Sequence, residues 1–242
     1  MRFSKNPKLK SFNALALLIV SIFSGTYIWA GEKVPLSVID LSSSKDTKLD
    51  FESARKASDG KIQINPQSGK YYLTTSVKII TSRAFSIASE IYIGEWDLVI
   101  ESPSVSLANT AKILSFENDL SNSPKSSGNL IFKNNSKNEN KSEVMALEGT
   151  LYCKLRGQSS QDHAAGMGGS FQSPANAKYN LKLKFDLRGG DSELAQGGES
   201  GDLLFPLKAS ASDSLDTSIG SIATPQGIQI EDDSLRAQYA IK

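Results

Sequence analysis

The chain has 242 residues, 27 Lys and Arg against 26 Asp and Glu, and 39% hydrophobic side chains. That apolar share suits one large domain or two small ones and excludes disorder throughout. Arg2, Lys5, Lys8 and Lys10 lie in a leader without acids, so residues 31–242 hold 23 basic against 26 acidic side chains, which excludes a general basic footprint for nucleic acid or anionic lipid.

The leader, residues 1–30, has the grammar of a secretory signal: a basic start, an apolar run from Leu15 to Ile28, and a peptidase site after Ala30. An uncleaved anchor is the alternative, because Asn13 to Ala30 covers 18 residues, close to the length of a membrane span. Ser21, Ser24, Gly25 and Thr26 weaken such a span and favour cleavage. No cysteine stands at the end of the leader, which excludes a bacterial lipid anchor. The one cysteine, Cys153, cannot form an internal disulfide, so stability does not rest on an oxidising compartment. Its place in an alternating strand reads as a small buried apolar thiol.

Residues 31–60 form a polar N-terminal segment. A short strand is expected at 34–40 and a Ser/Lys linker at 41–48, while the apolar positions of 49–57 fit either a short helix or a fading strand. After Asp59-Gly60 a β-rich domain runs over residues 61–242. Ile, Val, Tyr, Thr and Phe in alternation predict strands at 61–65, 71–81, 85–93, 97–101, 105–107 and 113–116, separated by Pro-, Gly- and Ser-bearing turns. Polar loops at 118–127 and 134–142 flank a further strand at 128–133. Sequons at Asn134 and Asn140 mark the second loop as exposed.

A duplication organises the next stretch. Leu151-Tyr-Cys-Lys-Leu-Arg-Gly157 returns thirty-two residues later as Leu183-Lys-Phe-Asp-Leu-Arg-Gly189. Period two places Leu147, Leu151, Cys153 and Leu155 on one face, and Leu181, Leu183, Phe185 and Leu187 on the corresponding face of the second copy. Each copy is followed by a Gly/Ser-rich tail, so the repeated strand-loop units are 151–169 and 183–201. The tails at 158–169 and 189–201 read as loops projecting from a β-scaffold. Asp97-Leu-Val-Ile-Glu101 and Asn129-Leu-Ile-Phe-Lys133 are also thirty-two residues apart, but the step from there to Leu151 is shorter and breaks the period. Leu203-Leu-Phe-Pro-Leu207 predicts an edge strand, and residues 208–242 alternate weakly.

Residues 61–207, through these strands and Gly-rich loops, resemble in texture the right-handed parallel β-helix proteins of bacterial cell surfaces. The resemblance implies an all-β fold, a β-solenoid with Gly/Ser-rich outloops, with a β-sandwich or jellyroll as the alternative. It also implies a surface or envelope role, since that class is mostly adhesins, passenger domains and surface-structure proteins, with a minority of polysaccharide lyases and hydrolases. It carries over no catalytic residue.

Three constellations suggest chemistry. Glu95 and Asp97 flank Trp96, with Glu90 and Glu101 nearby, the residue types of a sugar groove in which acids move protons and a ring stacks. Arg156 and Arg188 occupy equivalent places in the two copies and, with Arg83, would make a basic row. Gly197-Gly-Glu-Ser-Gly-Asp-Leu-Leu-Phe205 nearly matches a calcium nonapeptide in which Asp202 would ligate the ion, although Ser200 departs from the pattern; a polar loop without metal is the plainer reading. His163 shares one loop with Asp162, Ser159 and Ser160 and reads as an exposed loop histidine.

The expectation is therefore an exported, non-catalytic protein of the periplasm, cell surface or extracellular space. It would bind through Trp96, Glu95, Asp97, Arg156 and Arg188, with calcium at Asp202 as the one cofactor candidate. Its partner would be an envelope or cell-surface component, protein or polysaccharide, with no nucleic acid and membrane contact only if the leader stays attached. A polysaccharide-active β-helix enzyme and an anchored lipid-transfer β-protein are the alternatives.

Overall fold

The computed structural model describes residues 35–135, 144–174, 177–204 and, as backbone, 228–230. The leader and its cleavage site, Ser136 and Asn140 of the two sequons, Pro206, and the tail beyond residue 230 lie outside the described residues.

Among the described residues the elements are, in order, β1 (Ser37–Asp40), β2 (Leu49–Asp50), α1 (Phe51–Ala57), β3 (Ile62–Ile64), β4 (Tyr71–Leu73), β5 (Val77–Ile80), β6 (Phe85–Ile87), β7 (Glu90–Tyr92), β8 (Leu98–Glu101), β9 (Ser104–Leu107), β10 (Lys112–Leu114), β11 (Leu130–Lys133), β12 (Met145–Lys154), β13 (Phe171–Gln172), β14 (Ala177–Asp186), β15 (Leu203–Leu204) and β16 (Ile228–Ile230). The helix settles the open reading of 49–57. Asp50 caps it, accepting the N–H groups of Glu52 and Ser53 at 3.1 Å each, while Glu52 in the first turn and Arg55 and Lys56 in the last suit the helix dipole. Phe51 and Ala54 point inward, and the Phe51 ring meets Phe85 edge-on at 5.8 Å.

The strands assemble into a six-stranded parallel sheet, β1-β5-β8-β11-β13-β15, and a larger mixed sheet holding the rest. Within the parallel sheet Val77, Leu98, Leu130, Phe171 and Leu203 align as one inward column. In the mixed sheet Phe85, Val105, Leu147 and Tyr179 form another, and Ile91, Ile113, Cys153 and Phe185 a third. These columns from both sheets join in one core that includes Phe51, Phe85, Phe132 and Phe171, each almost wholly buried. Burying an aromatic or branched side chain contributes about 1.5–3 kcal/mol, so this column stacking is the main stabilising feature. The two duplicated strands pair in parallel over their whole length, with Leu151 opposite Leu183 and Cys153 opposite Phe185.

The expected β-solenoid is corrected. A solenoid reproduces one unit at a fixed spacing, and this chain does not: consecutive stacked positions in the parallel sheet, Ser76, Asp97, Asn129, Ser170 and Asp202, are 21, 32, 41 and 32 residues apart. The mixed sheet contains an antiparallel pair, β3 with β4, and helix α1 lies at the same end. The jellyroll alternative fails on the opposite ground, because every described strand pair except β3 with β4 is parallel. What forms is a β-rich fold of one parallel and one mixed sheet. The single strand expected at 71–81 is two, β4 and β5, assigned to different sheets.

The projecting Gly/Ser-rich outloops are corrected with it. The segments 157–169 and 189–201 lie on one another, peptide against peptide. Gly157 N donates to Arg188 O at 3.1 Å, Gly190 N to Gly166 O at 2.8 Å, Ala165 N to Gln196 O at 3.0 Å and Gly168 N to Glu199 O at 2.8 Å. The first of the two also rests on the preceding loop, with Gln158 N donating to Lys125 O at 3.0 Å. Glycine is required for this proximity: a Cβ on Gly166 would sit 1.9 Å from Lys125 O, and one on Gly198 1.9 Å from Gly166 O. The composition that reads as flexibility serves close packing.

Candidate binding surface

The residues singled out from sequence are held by their own chain. Asp97 stands just before β8 and belongs to a column of polar side chains, each directly preceding a strand of the parallel sheet. Ser76 Oγ accepts Asp97 N–H at 3.0 Å; Asp97 Oδ1 accepts the Asn129 backbone N–H at 2.9 Å and its amide at 2.8 Å. Asn129 Oδ1 then accepts Ser170 N–H at 2.8 Å, and Ser170 Oγ accepts Asp202 N–H at 2.9 Å. Asp202, the calcium candidate, joins the end of this column through its backbone N–H, and its side chain is exposed. Among the described residues no group of three or more His, Cys, Asp and Glu is placed to hold a metal ion.

Trp96 is half-buried against the core, and Gly128 crosses so close to its backbone that a Cβ there would lie 2.0 Å from Trp96 O. Glu95 is exposed and pairs with Lys125. Arg156 and Arg188 come to lie side by side, since the flanking Lys154 and Asp186 are register partners, but each is engaged: Arg156 with Asp191, Arg188 in a two-pronged bond to Asp186 at 2.8 and 2.7 Å. Burial alone would raise the Asp186 carboxyl, and the Arg188 bonds outweigh it and hold the group low. The two arginines do not share a site with the Glu95–Asp97 segment through any described contact. His163 is exposed, and its carbonyl accepts the Ser192 hydroxyl at 2.9 Å.

The outer face of the mixed sheet is a different matter, because parallel register lines up its polar side chains too. One column runs Tyr72, Tyr92, Leu114, Lys154, Asp186; its neighbour runs Glu90, Lys112, Tyr152, Lys184. At the β4 end the groups interlock. Tyr72 and Tyr92 stack at 5.2 Å with their planes 11° apart, and the Lys70 ammonium lies 5.1 Å over the Tyr92 ring. Lys70 Nζ also reaches Tyr92 Oη at 3.2 Å, Glu117 at 3.2 Å and Glu90 at 3.3 Å, while Tyr72 Oη donates to Glu117 at 2.7 Å and Tyr92 Oη to Glu90 at 2.6 Å. Burial, then the bond to Glu90, pushes the Tyr92 phenol up to about 12. Bonds from Tyr92 and the lysines hold Glu90 low, and those from Tyr72 and Lys70 hold Glu117 low. The internal bonds tie these groups into one charged and aromatic cluster on the sheet face.

No family model, curated protein or solved structure matches this chain. Its surface has to be read from its own residues. Sequence reasoning passed over Lys70, Tyr72, Glu117 and Tyr152 as contact residues; the register of β4, β7, β10, β12 and β14 places Tyr72 and Tyr152 on one face, and Lys70 and Glu117 join Tyr72 and Tyr92 there through their side chains.

Proposed function

We propose that the protein is an exported, non-catalytic binding or structural protein of the cell envelope or cell surface, and that it meets its partner with the outer face of the mixed sheet. The observation that carries this reading is the contrast between two sets of polar groups. Asp97, Asn129, Arg156 and Arg188 are spent on the chain itself, whereas Tyr152, Lys182 and Lys184 stand on the outer face of the mixed sheet with no side-chain hydrogen bond or ion pair among the described residues. A sheet braced by stacked strands holds these side chains at fixed spacing, which suits recognition. The interior is filled by Phe, Ile and Leu side chains, which supports a scaffold rather than a lipid-carrying trough. The leader supports export.

Cell fractionation of the full-length product with N-terminal sequencing tests the reading, together with co-sedimentation with isolated envelopes. Recovery outside the cytoplasm with a start at Gly31, and sedimentation that weakens with salt, is the expected result. A cytosolic protein retaining Met1, or one that releases reducing ends from envelope polysaccharide, would overturn it.

A further inference from the structure

We infer that the outer face around Tyr152 binds an acidic polysaccharide, with Lys182 and Lys184 pairing with its carboxylates and the Tyr152 ring stacking on a sugar. This rests on the binding-protein reading above and adds the partner's chemistry to it.

Strand β14 points Lys178, Lys182 and Lys184 outward while Leu181, Leu183 and Phe185 go into the core. The three lysines are exposed, and among the described residues none makes an ion pair or a side-chain hydrogen bond. Most other basic side chains of the described domain behave differently: Lys70, Lys78, Lys112, Lys125, Lys154, Arg156 and Arg188 all have carboxylate partners. In a domain with more acids than bases, three free ammonium groups on one strand make a local positive strip, and successive outward side chains on a strand stand about 7 Å apart. Tyr152 on β12 lies opposite Lys184, and Lys112 flanks it on the other side. Among the described residues Glu148, opposite Asn180, is the one carboxylate on this part of the face outside the ion pairs.

A ring set between lysines combines stacking on a sugar face with charge pairing. A lipid surface would call for apolar side chains, and the outward positions from Ala146 to Lys154 offer none larger than alanine apart from Tyr152. A nucleic acid would call for a wider basic surface than three free lysines in an acidic domain.

Binding of the full-length protein to polygalacturonate, with neutral dextran, phosphatidylglycerol vesicles and a single-stranded oligonucleotide as comparisons, decides the matter. Wild type and Lys133→Gln, which lies on the other sheet, should bind polygalacturonate alike. The double variant Lys182→Gln/Lys184→Gln should bind at least about tenfold more weakly, with a shallower salt dependence. Tyr152→Ala should weaken binding several-fold and Tyr152→Phe should not, since the ring and not the hydroxyl makes the contact. Unchanged thermal melting of the lysine variants would establish that folding is intact. No binding by wild type, equal binding by the double variant, or a preference for vesicles, oligonucleotide or dextran would overturn the assignment. If envelope sedimentation persists in those cases, the glycan site alone has failed; if the protein proves cytosolic, the parent reading has.

Discussion

Asp97 and Asn129 are joined through a single oxygen: Asp97 Oδ1 takes both the backbone N–H and the side-chain amide of Asn129, 2.9 and 2.8 Å away. The bond ties the entry of β8 to the entry of β11, so it reports on the stacking of the parallel sheet. Hydrogen bonds to a charged acceptor contribute about 1.5–3 kcal/mol. Asp97→Ala should therefore lower unfolding free energy by about 2 kcal/mol in denaturant titration, and Asp97→Asn, which keeps an acceptor, by less. Were the carboxylate instead a sugar ligand with no structural duty, both variants would melt like wild type.

Glycine substitutions separate close packing from looseness. Gly149 has φ of +109° and a Cβ on it would lie 1.8 Å from Leu107 O, where the long strand β12 passes from β9 to β10. Gly149→Ala and Gly166→Ala should each cost about 3 kcal/mol or more. Gly197→Ala should change stability by no more than about 0.5 kcal/mol, because the nearest atom to its Cβ is Gly190 O at 3.6 Å. Equal tolerance at all three positions would mean that the loops are not stacked.

Cys153 lies in the core between Ile113 and Phe185, and burial pushes its thiol up. Iodoacetamide at mildly alkaline pH should leave the folded protein unlabelled and modify one thiol per chain after denaturation. Rapid labelling of the native protein would contradict the packing of this column.

Acid sensitivity follows from carboxylates held below their ordinary range. The bidentate Arg55 guanidinium is the main cause that brings Glu52 down to about 2 from 4.5, and Tyr71 adds a weaker bond. A depressed folded value means that the stabilisation is complete above the unfolded value and is lost as pH falls toward the folded one. Melting temperature should thus drop between about pH 5 and pH 2, and Glu52→Gln should flatten that slope and converge with wild type at the acid end. Because the pair is about a third exposed, the effect at neutral pH should stay at or below about 1 kcal/mol. Parallel curves for the two proteins would show that this pair contributes nothing.

Much of the local structure was legible beforehand. Period two identified which side chains of 147–155 and 179–187 face inward, and the Leu-Arg-Gly duplication marked the two strands that pair in register. The apolar spacing of 49–57 fits a helix and a strand equally well, so the choice of helix waited for the Asp50 cap and the packing of Phe51 on Phe85.

Alternation says which face of a strand is buried, because it is a property of the single chain. It does not say which sheet a strand joins, since pairing depends on contacts between segments 21 to 41 residues apart. The amino-acid sequence alone thus determined most of the strands and their inward faces. Tertiary structure decided the rest: β4 and β5 go to different sheets, Gly-rich segments pack instead of projecting, and Asp97 and Asp202 become members of a column. It also decided that Tyr152 stands between Lys112 and Lys184, for only parallel register across β10, β12 and β14 brings three distant residues onto one row.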